Sequence, residues 1–180
     1  MEKLWERLSR LPEVPQGNPG AAVLVPLYED GAGEVRVVII KRPDHMSTHA
    51  GQLAFPGGFI APNDRDPTAA ALREAEEELG IIPAQVEVLG VLPTVVASRD
   101  SLMVAAVVGR LSPPVLLRPS PAEVAAVLEP PLAIFFEEDR WRTQDFGGHL
   151  LWFIELGEEI LWGASAAMMR HLLAAAGSTA

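Results

Sequence analysis

Apolar positions along the 180-residue chain change period several times, and the changes outline the elements. Leu4, Trp5, Leu8 and Leu11 recur at helical spacing with charges between them, which predicts a short amphipathic helix followed by a connector from Pro12 to Pro19. Two β-branched, apolar runs come next, Ala21 to Tyr28 and Val35 to Arg42, separated by the turn-rich EDGAGE stretch; this pattern predicts a hairpin. Residues Pro43 to Pro67 are rich in Pro, Gly, His and Asp and have no period, so they read as a long functional loop. Helical spacing resumes from Thr68 to Leu79, with Asp66 or Thr68 as cap, Pro67 near the first turn and Gly80 as the stop. Strands are expected at Val86 to Leu92 and Leu102 to Val108, and a short helix at Ala122 to Leu128 after a cluster of prolines. A hairpin is expected from Arg140–Arg142 and Leu150–Leu156 closing through FGGH, then a final helix over Ala164 to Ala175. Strands mixed with helices, without regular βαβ alternation, predict an α+β fold, a sandwich with a mixed sheet, in a single domain over residues 1–180.

Composition narrows the chemistry. With 49% hydrophobic and 21% charged residues the chain folds around a core. Fourteen basic residues against 24 acidic ones give a net charge of −10, which argues against holding nucleic acid by phosphate neutralisation but leaves a small phosphorylated substrate open. The absence of cysteine removes disulfides, thiolate metal sites and cysteine nucleophiles, so any metal must sit on oxygen or imidazole. No apolar run approaches the ~20 residues of a membrane span, and the first residues lack a signal-peptide pattern. The expectation is a cytoplasmic protein without membrane or nucleic-acid partners. Scarce lysine (Lys3 and Lys41) and asparagine (Asn18 and Asn63) fit a thermophile or a GC-rich genome equally.

The segment Arg73-Glu74-Ala75-Glu76-Glu77-Glu78-Leu79-Gly80 is the most informative. At about 100° per residue from Leu72, Leu79 and Ala75 fall near ~340° and ~300° and make an apolar stripe. Glu77, Glu74 and Glu78 fall near ~140°, ~200° and ~240° and share the other face, while Glu76 near ~40° points elsewhere. Like charges at i,i+3 and i,i+4 destabilise a bare helix by a few tenths of a kcal/mol. Arg73 can pair with Glu77, but one cation does not balance three anions. A divalent cation with a preference for oxygen ligands, Mg²⁺ or Mn²⁺, would. The same letters also describe a solvated acidic helix face. The preceding Phe55-Pro56-Gly57-Gly58 shifts the balance, because paired glycines let backbone approach a phosphate closely.

Together these residues resemble the Nudix hydrolases, whose signature runs G-x5-E-x7-R-E-U-x-E-E-x-G-U, U being a bulky aliphatic residue. Its second half is present as Arg73, Glu74, Ala75, Glu77, Glu78, Gly80 and Ile81. The first half differs by one inserted residue between Gly58 and Arg73 and by Asp64 in the Glu position. Upstream, Arg42 and then His49-Ala50-Gly51-Gln52-Leu53-Ala54-Phe55-Pro56-Gly57-Gly58 resemble the motif of the coenzyme A pyrophosphatase branch, as does the ending Leu161 to Ala166; Ile40, Pro43 and Ser47 depart from it. The resemblance implies a Nudix-type α/β/α sandwich. It implies that Glu74, Glu77 and Glu78 bind two or three Mg²⁺ (or Mn²⁺) ions and that Arg73 orients a carboxylate. Gly57 and Gly58 would shape the loop beside them, and Arg42, Lys41 and His49 would contact phosphate. The reaction implied is hydrolysis of a nucleoside diphosphate derivative, with coenzyme A or its thioesters as leading substrate and ADP-ribose, a dinucleotide or a modified nucleotide as the alternative. A non-catalytic Nudix-fold module would be expected to have lost these carboxylates. The general base is Glu78 or Glu77, and Glu123 is a candidate extra metal ligand or base. As a plain first-turn helix residue Glu123 would instead be favoured by the macrodipole. His49 can equally hold its own loop, and Arg99 is surface charge or a 3′-phosphate contact. Trp141, Trp152 and Trp162 are read as core or edge packing. A homodimer is compatible with the chain.

Overall fold

A computed structural model describes residues 2–45, 49–97 and 101–177. Three helices, α1 (Glu2–Leu8), α2 (Pro67–Leu79) and α3 (Gly163–Ala176), accompany eleven strands: β1 (Ala21–Glu29), β2 (Val35–Val37), β3 (Ile39–Lys41), β4 (Leu53–Ala54), β5 (Gly57–Phe59), β6 (Val86–Ala97), β7 (Leu102–Leu111), β8 (Ala126–Leu128), β9 (Trp141–Phe146), β10 (His149–Leu156) and β11 (Glu159–Trp162). The main sheet runs β2-β1-β7-β6, with β5 also pairing β1. Strands β1 and β7 are parallel and the other pairs antiparallel, so the sheet is mixed. Two three-stranded sheets, β4-β3-β8 and β11-β10-β9, complete the architecture.

The apolar runs are buried on both faces because the main sheet lies between two cores. Along β1, Ala22 and Leu24 face the core under α2, whereas Ala21, Val25 and Leu27 face the core shared with α1, α3 and Trp141. Strand β7 alternates in the same way, Ala105 and Val107 against Val104, Ala106 and Val108. This is the α+β sandwich with a mixed sheet that the periodicity predicts.

Several elements differ from the expectation. The second strand of the first hairpin ends at Val37, and after the buried Val38 the chain enters another sheet as β3, pairing β4 and β8. Because β2 and β3 each bury their β-branched residues and carry one half-buried basic residue, the switch leaves no mark in the hydrophobic pattern. The loop from Pro43 to Pro67 contains β4 and β5. The stretch Ala122 to Leu128 is a turn leading into β8, not a helix, since Ala126–Leu128 satisfies its backbone against β3. Glu123 is therefore no first-turn helix residue. Ser47 and Arg99 lie outside the described residues. Among the described residues no helix is long and apolar enough to cross a membrane.

Candidate active site

Helix α2 carries most of the site, and its ends are fixed by local chemistry. Asp66 is the N-cap, with Oδ1 accepting from the Ala69 amide at 2.7 Å, and Pro67 opens the first turn. Gly80 closes the helix in the left-handed conformation at φ 67°. The buried face is Ala70, Ala71, Ala75, Glu78 and Leu79, with Leu72 only half-buried. The apolar stripe thus centres on small alanines rather than on Leu72. Small side chains let α2 lie close to β1 and β5, and this draws Glu78 inside, to 3% exposure. Glu74 is half-buried, while Glu76 and Glu77 are exposed.

Beneath the helix, β5 supplies the backbone surface that the carboxylates touch. The Gly57 amide donates to Glu78 Oε2 at 2.9 Å. A Cβ on Gly57 would collide with the backbone of Ala22 and Val23, and one on Gly58 would stand 2.6 Å from Glu74 Oε1. Gly57 is required by the close approach of the sheet backbone, whereas at Gly58 the neighbour is the movable carboxylate end of Glu74.

Arg73 is clamped from several sides. Its Nε and Nη2 donate to Asp64 Oδ1 and Oδ2 at 3.0 and 2.9 Å, a bidentate pair, and Nη1 donates to Glu74 Oε1 at 2.8 Å. Glu77 Oε2 is 3.2 Å from Nη1, and the Phe59 carbonyl accepts from Nη2 at 3.2 Å. The Asp64 side chain is only 5% exposed. Its pairing with Arg73, helped by the Ala61 amide, holds its carboxyl below the usual range. Hydrogen bonds to Asp64 and Glu74 hold the guanidinium proton more firmly than usual. Asp64 at the Glu position of the signature is thus the buried anchor that aims Arg73 at Glu74.

Glu123 comes from a different part of the chain. Residues 118–125 wrap the end of α2: the Arg118 amide donates to the Leu79 carbonyl at 2.7 Å and the Ser120 amide to the Glu78 carbonyl at 2.8 Å. The Ala125 amide donates to the Lys41 carbonyl at 2.8 Å, fixing the other end of the segment. One carboxylate oxygen each from Glu74, Glu78 and Glu123 then lies within 4.8 Å of the other two. Glu77 stands outside this group, at the rim with Arg73. Burial pushes the Glu78 carboxyl up to about 7; the neighbouring Glu74 and Glu123 charges add to the rise, and the Gly57 amide and the Arg42 charge oppose it. Three crowded oxygens, one of them desolvated, form a donor set suited to a hard divalent cation.

The remaining sequence-predicted residues scatter around this centre. Arg42 is half-buried, and its Nε is a buried donor without a protein partner. Lys41 Nζ is taken by Glu159 Oε1 at 2.6 Å. His49 is exposed at φ 56°, its Nδ1 hydrogen-bonded with Gln52 Oε1 at 3.0 Å inside its own turn. Trp141 is buried in the core with Nε1 donating to the Phe135 carbonyl at 2.8 Å, and Trp152 stacks edge-on against it. Trp162 is exposed.

The NUDIX domain family model matches residues 18–146. The chain belongs to the Nudix family. It is 38% identical over 169 residues to the uncharacterized Nudix hydrolase NudL of Shigella flexneri, covering 92% of this chain and 86% of that one. It is 40% identical over 156 residues to NudL of Escherichia coli strain K12, covering 84% and 80%. Among solved structures, a NUDIX hydrolase from Alicyclobacillus acidocaldarius superposes with TM-score 0.52 at 18% identity, covering 94% of this chain and 95% of that one. A C. elegans Ap4A hydrolase in a binary complex gives TM-score 0.53 at 23% identity, covering 63% and 80%. These structures share the fold. The protein is a Nudix pyrophosphohydrolase of a nucleoside diphosphate derivative, from a family that generally uses divalent metals.

Proposed function

We propose that this Nudix enzyme is a Mg²⁺- or Mn²⁺-dependent hydrolase of the diphosphate in coenzyme A or its derivatives, releasing 3′,5′-ADP and 4′-phosphopantetheine. The hydrolytic part rests on one observation above all, the convergence of Glu74, Glu78 and Glu123 beside the Gly57–Gly58 backbone with Arg73 clamped on Asp64. Its oxygen-only donor set fits the implied cation: Glu74, Glu78 and Glu123 would hold it, with Glu77 adding a ligand from the rim. A cation held by these carboxylates would supply charge neutralisation of the diphosphate and a lowered cost of deprotonating the water for in-line attack on phosphorus.

The chain's own residues do the rest. Arg73, fixed by Asp64, keeps Glu74 Oε1 aimed inward. Arg42, half-buried and close enough for its charge to act on Glu78, supplies a guanidinium for a phosphate oxygen. A carboxylate of Glu78, Glu77 or Glu123 takes the proton of the attacking water. Glu123 is the one that a separate, independently anchored segment carries, so Glu123→Gln separates two roles: loss of a base lowers kcat across all metal concentrations, whereas loss of a ligand is offset by added metal.

Coenzyme A as substrate rests on the Arg42 and His49–Gly58 motif. The departure at Ile40 does not weaken it, because that side chain is fully buried in the core under α2. ADP-ribose or a dinucleotide is the second reading, favoured by the Lys41–Glu159 pair, which removes one cation from the set expected to meet phosphates. A panel of coenzyme A, ADP-ribose, NADH, diadenosine polyphosphates and nucleoside triphosphates, with Mg²⁺ or Mn²⁺ and chromatographic separation of products, decides. Preferential formation of 3′,5′-ADP from coenzyme A is expected; preference for ADP-ribose would overturn the coenzyme A assignment alone.

A further inference from the structure

Sheet edges are reactive surfaces, because each exposes a row of unpaired backbone donors and acceptors. This protein blunts most of its edges. The rim strand β6 carries bulges and receives the Pro12 carbonyl on its Val91 amide. Strand β2 is covered by residues 130–131, the Val37 amide donating to the Pro130 carbonyl and Arg36 bridging Pro131. Strand β8 is three residues long, and β4 lies beside β11.

Strand β9 has none of these devices. It is the rim of β11-β10-β9, its register with β10 runs unbroken from Trp141 to Phe146, and Arg142 to Phe146 are all exposed. It contains no proline, no lysine and no bulge. Outside β10 the backbone of its first residue alone is engaged, the Trp141 amide donating to the Glu138 carbonyl and its carbonyl accepting from Arg142 Nη1; among the described residues no backbone group outside β10 bonds to the backbone of Arg142–Phe146. The register places Arg142, Gln144 and Phe146 on one face with Leu151, Phe153 and Trp162, several of them exposed. A regular six-residue rim, exposed from Arg142 to Phe146 and with apolar residues beside it, is open to pairing with another strand.

We propose that the partner is a second copy of this chain, paired antiparallel through β9 about a two-fold axis at Gln144. An axis perpendicular to the sheet keeps each side chain on its own face, so the central residue must oppose itself and pairs must share parity. With Gln144 at the centre, Arg142 opposes Phe146 of the second copy and Thr143 opposes its Asp145, each pair occurring twice. The outer face then places a guanidinium on an aromatic ring on either side of an amide–amide pair. The inner face sets hydroxyl against carboxylate. No like charges are opposed. Arg142 and Asp145 also make the strand locally neutral on a chain of net charge −10, so the acidic surfaces of two copies need not meet. The product is a continuous six-stranded sheet.

Analytical ultracentrifugation of the full chain across the micromolar range tests this, with Gln144→Lys and Gln144→Glu as probes. Both substitutions sit on an exposed strand position away from the carboxylate site. Wild type is expected to dimerise. Each variant alone opposes like charges at the axis and should raise the dimer Kd about fivefold, while an equimolar mixture of the two should return toward wild type by pairing opposite charges. A wild-type chain that stays monomeric throughout the range overturns the proposal. So does a dimer that both variants leave unchanged, or a mixture no tighter than its components.

Discussion

Glu78 and Gly58 show how single positions set the chemistry. The Glu78 carboxyl is bonded to the Gly57 amide inside a nearly closed surface, so Glu78→Gln keeps the shape and the hydrogen bond but removes the charge. Turnover should fall at least about 10²-fold while circular dichroism and melting stay native-like; wild-type turnover in this variant would mean that the cation is held elsewhere. At Gly58 an added methyl meets only the far end of Glu74, a movable group, so the fold tolerates it. The Glu74 carboxylate, however, is aimed by Arg73 and would lose that aim. Gly58→Ala should therefore shift melting little, raise the metal concentration needed for half-maximal rate and lower kcat. A metal titration beside a thermal melt reads both, and unchanged metal dependence would show that Glu74 is not a ligand.

At the scale of elements, helix α2 and the 118–125 segment act as two arms of one device. Asp66 fixes where α2 begins, through its bond to the Ala69 amide. Replacing this cap with alanine should cost roughly 1 kcal/mol, measured by urea unfolding, and leave the metal dependence of the remaining native enzyme unchanged. The end of the helix, its stop and the Glu74–Glu78 spacing were legible in the sequence, because 3.6-residue geometry and Gly80 are local properties; the cap was narrowed to Asp66 or Thr68, and the bond to the Ala69 amide decides for Asp66. That Glu78 is buried was not, because it depends on alanines letting α2 approach β1. Nor was the end of the first hairpin at Val37, since VRV and IIK are both short β-branched stretches with one basic residue and look alike whichever sheet they join. For Glu123 the residue was visible, but its neighbours were misread as a helix.

For the whole molecule, the crowded carboxylates predict a stability that depends on pH, and on a divalent cation if the proposed site binds one. Glu78 is raised from 4.5 in an ordinary glutamate to about 7 by burial, with Glu74 and Glu123 adding and Gly57 and Arg42 opposing. A folded-state value above the unfolded one means that the native protein binds the proton more tightly. The resulting stabilisation is complete below about pH 4.5 and disappears as pH rises through about 7, with an upper bound of about 3 kcal/mol. Metal-free protein should thus lose stability between pH 5 and 7.5 on the order of this amount; Glu78→Gln should flatten that slope, and Mg²⁺ should restore Tm most at the alkaline end. Melting in EDTA and in Mg²⁺ across this range checks the sign, and a metal-free Tm that rises with pH for wild type but not for Glu78→Gln would contradict the burial account.

The sequence by itself determined the class of fold, the helix that carries Glu74, Glu77 and Glu78, the glycine pair beside it and the family resemblance, since all of these follow from local spacing and residue type. Tertiary structure alone decided which carboxylates converge. It set Glu123 beside Glu74 and Glu78 and left Glu77 at the rim, turned Asp64 into the anchor of Arg73, tied Lys41 to Glu159 and left the β9 edge open. Each of these depends on segments distant in the chain being brought within a few ångströms, which no period along the sequence encodes.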